Sequence, residues 1–352
     1  MKVCYFGSYD KYYSRNRILI KGLIENGVSV YDCNNRSNYL KRVIKLSLKY
    51  LKIPNHEAII VGAMGHANVL PAYIFSRLFK RVVIFDPFIS LYDTAVLDRK
   101  IVKDKSIKSI YYFYLDSYSC KLSDKIIVDT YQHLEYFSKT FKISKSKIDV
   151  IYIGADDSIF YPKYIKKREN KFIVEFHGSF VPLQGVEYIA ECAKILKNEK
   201  DVIFKIIGKG QTYNKVNNFI KRNELKNVEL LGWVKYEKIP IYIAESDICL
   251  GIFGNTQKAK RVVPNKAFEV LAMKKPLITG DSKASREILK NKKHALLCEM
   301  ANPEALADAI LELKDNDELR KKIATCGYKL FKKKFTPKAL GFKLKQIIEN
   351  LI

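Results

Sequence analysis

The sequence lacks any pair of cysteines in CxxC spacing. Its seven cysteines, Cys4, Cys33, Cys120, Cys192, Cys249, Cys298 and Cys326, are scattered and odd in number. Neither a zinc ribbon nor a disulfide framework is indicated, and a reducing cytoplasm is expected. No run approaches the roughly 18 apolar residues of a membrane span. The opening MKVCYFGSYD enters a strand-like segment directly, so a protein neither secreted nor integral is expected. No carboxylate cluster suggests a metal site. Acidic residues are also scarce, 37 against 63 lysines and arginines, for a net charge of +26. Such a balance suits nucleic acid or an anionic membrane surface. The charge is spread evenly, however, +12 in the first 155 residues and +14 in the rest, as in a generally lysine-rich protein. No nucleic-acid-binding module is recognisable, so nucleic acid is not an expected partner.

What the sequence does contain is a repeating alternation of short apolar runs with helical periods. At 352 residues the chain is long enough for two domains with separate cores. Runs such as residues 2–6, 58–61, 125–130, 202–207 and 276–281, each closed by turn residues, predict buried parallel strands of an α/β fold. The polar stretch around PKYIKKREN has no apolar period and predicts a linker. The expected organisation is a first domain over 1–156, a linker over 157–171, a second domain over 172–335 and a terminal helix over 336–352. Residues 39–52 place Leu40, Val43, Ile44, Leu48 and Leu51 on one helical face and Lys41, Lys45, Lys49 and Lys52 opposite. That pattern leaves two readings open, a helix lying on anionic lipid or one packed on its own domain.

The stretch from Gln257 to Glu287 holds the densest chemistry. Pro264 suits a first helical residue, so a helix is predicted to begin there. Glu269 lies inside the apolar period Ala267, Phe268, Val270, Leu271 and Ala272, where a carboxylate needs a partner. A helix start just after Lys258, Lys260 and Arg261 offers free N–H groups and cations to a phosphate. A second glycine-bearing loop, His177 to Gly185, opens onto another helix start.

PNKAFEVLAMKKPLITGD resembles the donor-site segment of retaining GT-B glycosyltransferases of family 4, in which P-x-K-x-x-E precedes L-A-x-x-K-P. The order of strand, helix, G-A-D and F-Y-P near residues 123–162 resembles that family's passage out of its first domain. The resemblance implies two Rossmann-like domains facing a cleft, the terminal helix crossing back onto the first. It implies transfer of a sugar from a nucleotide-diphosphate sugar to a glycan or lipid-linked acceptor, with retention, without metal or further cofactor, in polysaccharide or glycolipid biosynthesis. Glu269 would bind the ribose, with Gly178, Gln184, Gly208, Trp233 and Lys258 around the donor; Trp233 is equally consistent with a core position. Gly7, Ser8, Arg15, Asn16 and His66 would face the acceptor. Asp86, in the loop where many members carry a histidine, would either orient a sugar hydroxyl or cap its turn.

The chain departs from the family pattern at Ser179 and Gln184, where most members carry Arg and Lys, and at Arg261, where E-x7-E has its first Glu. The linked changes suggest a phosphate clamp relocated to Arg261 and Lys266, with Lys258. The alternative is a degenerate site in a non-catalytic nucleotide-sugar or polyanion-binding protein. The expected location is the cytoplasm, with the inner membrane face as a further option through the basic helix.

Overall fold

A computed structural model of the chain describes residues 1–165 and 171–352. It divides into a first unit, residues 1–154 with 335–352, and a second unit, residues 155–334. Of the expected linker over 157–171, residues 166–170 lie outside the described residues.

The first unit runs β1 (Lys2–Gly7), α1 (Ser14–Glu25), β2 (Ser29–Asn34), α2 (Tyr39–Tyr50), β3 (Ala58–Val61), α3 (Val69–Phe79), β4 (Val82–Phe85), α4 (Ile107–Leu122), β5 (Lys125–Val128), α5 (Tyr131–Phe141) and β6 (Ile148–Val150). The six strands form one parallel sheet in the order β2-β1-β3-β4-β5-β6. The second unit runs β7 (Phe172–His177), α6 (Val186–Ile195), β8 (Val202–Ile207), α7 (Tyr213–Arg222), β9 (Val228–Gly232), α8 (Ile239–Glu245), β10 (Ile248–Leu250), α9 (Asn265–Ala272), β11 (Leu277–Gly280), α10 (Lys283–Ile288), β12 (Leu296–Cys298), α11 (Pro303–Asp315) and α12 (Asp317–Lys334). Its sheet has the order β12-β11-β10-β7-β8-β9. The near-continuous apolar strands follow from burial on both faces, since every crossover lays a helix against the sheet. Reversal of strand order puts a ligand-binding crevice beyond the β1/β3 ends in one sheet and the β7/β10 ends in the other.

In the first unit, one sheet face packs on α2 to α5 through Leu46, Tyr50, Ala72, Cys120 and Phe137. The other packs on α1 and on α13 (Pro337–Glu349) through Ile18, Leu19, Leu23, Leu340 and Leu344. Helices α1 and α13 approach so closely that a Cβ on Gly341 would lie 2.0 Å from the carbonyl carbon of Gly22. Glycine at both positions lets the two backbones touch.

Several sequence expectations are corrected. Pro264 is the extended cap before α9, with ψ 156°, and not its first helical residue. A π-helical turn over Asp93–Asp98 precedes α4, which starts at Ile107. Helix α7, helix α10 and strand β12 were not anticipated. Strand β12 spans only three residues, and α10 is a six-residue helix held by a capping box between Ser282 and Ser285. On α2 only Leu46 and Tyr50 are buried, so the Leu40, Ile44, Leu48 and Leu51 stripe faces solvent and does not pack on its own domain.

Candidate active site

Loops following β7, β8 and β9 are drawn together at one edge of the second sheet. The Gly208 N–H donates to the Gly232 carbonyl at 2.6 Å. At φ +138°, a Cβ on Gly208 would meet the Gly178 carbonyl oxygen at 1.8 Å, so only glycine fits. Trp233 follows directly and is 70% exposed, which rules out its core alternative. On the other side of β7, the Phe253 N–H donates to Gln184 at 3.1 Å and the Gly254 N–H to Leu183 at 3.3 Å. The N-terminus of α6 is thereby fixed beside the end of β10, at the switch point.

Glu269, on α9, is buried with both carboxylate oxygens engaged. Oε1 accepts from the Tyr236 hydroxyl at 2.8 Å and Oε2 from His177 Nε2 at 2.9 Å. His177 closes β7, and its Nδ1 lies 2.8 Å from Oε1 of Glu175, also on β7. Carboxylates can only accept, so the ring donates from both nitrogens and is an imidazolium. Burial alone would lower its pKa, but Glu175 and then Glu269 outweigh burial and raise it to about 9. The result is a buried relay, Glu175–His177–Glu269, that fixes the orientation of the α9 carboxylate.

Lys266, one turn earlier on α9, lies against this relay. Its Nζ donates to Gln184 Oε1 at 2.6 Å and sits 3.4 Å from the centroid of the Phe176 ring. A Cβ on Gly178 would come within 2.7 Å of that nitrogen. Burial pushes the ammonium's pKa well below the usual range, and the charges of Glu175 and Glu269 offset this only in part. Four expected donor residues, Gly178, Gln184, Lys266 and Glu269, therefore meet in one place, joined through Gly178 by Gly208. Lys258 is buried and Arg261 half-buried on the turn Ala259–Arg261 just before α9.

In the first unit the expected residues are placed differently. Arg15 and Asp86 form a wholly buried ion pair, Nε to Oδ2 2.8 Å, and Arg15 Nη1 donates to the carbonyls of Ile151 and Tyr152 at 2.6 and 3.0 Å. Burial raises the Asp86 carboxyl's pKa, opposed by Arg15. As placed, neither side chain presents an atom to solvent, and together they tie α1 to the ends of β4 and β6. His66 is likewise buried, its Nε2 3.0 Å from Asp116 Oδ1. The same carboxylate accepts from the Ser90 hydroxyl at 2.7 Å and from the Leu91 and Tyr92 N–H groups at 3.0 and 2.9 Å, organising the loop beyond β4. Asn16 accepts from Tyr5 and from the Ala63 N–H at 3.0 and 2.9 Å. Asn68 donates to Ser8 at 3.0 Å and lies 3.1 Å from where a Gly7 Cβ would be. Gly7, Ser8 and Asn16 thus sit at the β1/β3 switch point, whereas Arg15 and His66 are absorbed into buried pairs.

Sequence reasoning missed Glu175, His177, Phe176 and Tyr236. For Glu175 the signal was present, a carboxylate inside the apolar strand FIVEFH, the same signal that singled out Glu269. His177 and Tyr236 join the site by contacts 92 and 33 residues apart.

Comparison with known proteins bears on both units. The chain is 31% identical over 261 residues to an uncharacterized glycosyltransferase of Methanocaldococcus jannaschii, covering 72% of this chain and 66% of that one. It thus spans just under two thirds of that relative's length. Its fold matches Anabaena HepE in complex with UDP-glucose, with TM-score 0.74 at 12% identity over 99% of this chain and 100% of that one. It also matches sucrose-phosphate synthase of Thermosynechococcus elongatus, with TM-score 0.78 at 12% identity over 100% and 99%. The two six-stranded parallel sheets are therefore those of a GT-B fold. The profile of the glycosyl transferases group 1 matches residues 157–330, the stretch that carries Gly178, Gln184, Lys266 and Glu269, so the second unit carries that family's domain.

Proposed function

We propose that this protein transfers a sugar from a nucleotide-diphosphate sugar to a glycan or lipid-linked acceptor, with retention and without a metal. The observation that carries the reading is the Glu269 carboxylate, oriented at both oxygens by His177 and Tyr236, beside Lys266 on the Gly178–Gln184 loop. Each Glu269 oxygen keeps a free lone pair for a ribose hydroxyl. As the sugar–phosphate bond breaks, its electron pair moves onto the diphosphate. Lys266 and the N-termini of α6 and α9 supply fixed positive charge for that developing anion. Arg261 and Lys258 complete the clamp, in place of the family cations missing at Ser179 and Gln184. Trp233 offers its exposed ring to the base. The acceptor is assigned to the first unit near Gly7, Ser8 and Asn16. Retention requires its hydroxyl to approach the face from which the diphosphate departs.

The resemblance of the fold to a UDP-glucose complex makes UDP-sugars the first probes. A thermal-shift screen of nucleotide-sugars, followed by transfer or hydrolysis assays with the labelled hit, tests the reading. A donor at about 100 times its Kd adds about 2.7 kcal/mol of apparent stability. Turnover that persists in EDTA and falls in Glu269→Gln is expected. Donor binding without any turnover on any acceptor would leave only the non-catalytic binding protein.

A further inference from the structure

Helices α2, α3 and α4 lie side by side on one face of the first sheet, packed through a common core. Their outer sides are apolar. Helix α2 exposes Leu40, Ile44, Leu48 and Leu51, with Leu40 77% exposed. Helix α3 exposes Leu70, Ile74 and Leu78, with Leu78 69% exposed. Helix α4 inverts the usual order: Ser109, Asp116, Ser117 and Ser119 are buried, while Ile107, Ile110, Tyr111, Tyr114 and Tyr118 face outward, Ile107 at 89%. Spacings of three and four residues make each set a continuous stripe. A single exposed leucine means nothing, but three parallel stripes on adjacent helices form a patch of the kind that marks an interaction surface.

The charges around it select the partner. Exposed Lys41, Lys45 and Lys52 flank the α2 stripe, Lys80 follows α3, and Lys103, Lys105 and Lys108 surround the start of α4. No acidic residue occurs in residues 39–53 or 58–85. Tyrosines on α4 add rings with polar tips, the chemistry of the bilayer–water interface. Among the described residues no helix is long and apolar enough to cross a bilayer.

We propose that the outer face of α2, α3 and α4 docks on an anionic lipid bilayer, its leucine, isoleucine and tyrosine side chains entering the headgroup region and its lysines pairing with acidic lipids. This holds whether or not the sugar-transfer reading is right.

Flotation of the full chain with phosphatidylglycerol-containing vesicles, against phosphatidylcholine alone, is the test. The protein should float with the anionic vesicles, and less as salt rises. Lys41→Glu with Lys45→Glu should lower the partition coefficient by at least about tenfold. Leu48→Ser with Leu78→Ser should lower it at unchanged surface charge, which a purely ionic attraction would not do. All four residues are exposed, and an unchanged circular dichroism spectrum confirms folding. Failure to float with anionic vesicles, or flotation that both double variants leave intact, overturns the proposal. So does a dimer in solution that the apolar variants disperse, since the face would then belong to a second copy of the chain.

Discussion

Both units bury charged groups near the carboxyl ends of their parallel strands and treat them differently. In the first unit, Arg15 and Asp86 pair directly and are completely buried. In the second, Glu175, His177 and Glu269 alternate in sign, and the lysine beside them is held with its pKa depressed. A pair whose opposite charges offset each other serves as a fastener, whereas a network with a lysine short of compensation suits the further anion that the proposed function brings. One scaffold thus provides a structural core in one unit and a receptive site in the other.

The largest effect should come from opening the fastener. Asp86→Ala strands a buried guanidinium and should cost about 3–5 kcal/mol of stability, measured by chemical denaturation. Asp86→Leu combined with Arg15→Met should recover most of that loss. Equal losses in the single and double variants would mean the pair does not act as a unit. Next in size, Lys266→Met should cost about 2–5 kcal/mol in nucleotide-sugar affinity with little loss of stability, because an apolar chain suits its buried place. Arg261→Ala should weaken affinity less, and Arg261→Lys should recover part of it, since a point charge lacks the bidentate fork. Unchanged donor affinity in Arg261→Ala would remove that residue from the clamp.

His177 gives a smaller, pH-dependent effect. Its folded pKa is raised to about 9 from an ordinary 6.5, so its contribution is complete below pH 6.5 and is lost as pH rises through about 9. Lys266 works with the opposite sign, because a depressed lysine pKa makes stability rise with pH. The comparison is therefore wild type against His177→Gln: the stability difference should shrink by about 1–3 kcal/mol between pH 6 and 10. A difference flat with pH would mean the ring is neutral. The smallest effect is on pH dependence: a diphosphate beside Lys266 should raise its depressed pKa, so the dependence of UDP affinity on pH, measured by calorimetry, should differ between wild type and Lys266→Met.

Much of the fold was legible because buried strands and amphipathic helices leave periods in sequence, and Glu269 stood out as a carboxylate inside one. What escaped is instructive. Glu175 carried the same signal, but it sat in a strand classed by its apolar neighbours. His177 becomes an imidazolium only by touching a residue on another element, which no local pattern encodes. For α2 the period revealed two faces without telling which one the protein covers, and the covered side proved to be Leu46 and Tyr50. Arg15 was expected to face the acceptor, but its long side chain carries the guanidinium inward to Asp86.

The glycine contact between α1 and α13 has a consequence for synthesis on the ribosome. The first unit cannot cover Ile18, Leu19 and Leu23 until residues 337–349 have emerged, and by then the whole second unit is already outside. The second unit is contiguous and closes as soon as it is made. The amino-terminal half must therefore wait with the part of its sheet and of α1 that α13 covers still open, and a truncation before residue 337 would release it unfinished and prone to aggregate.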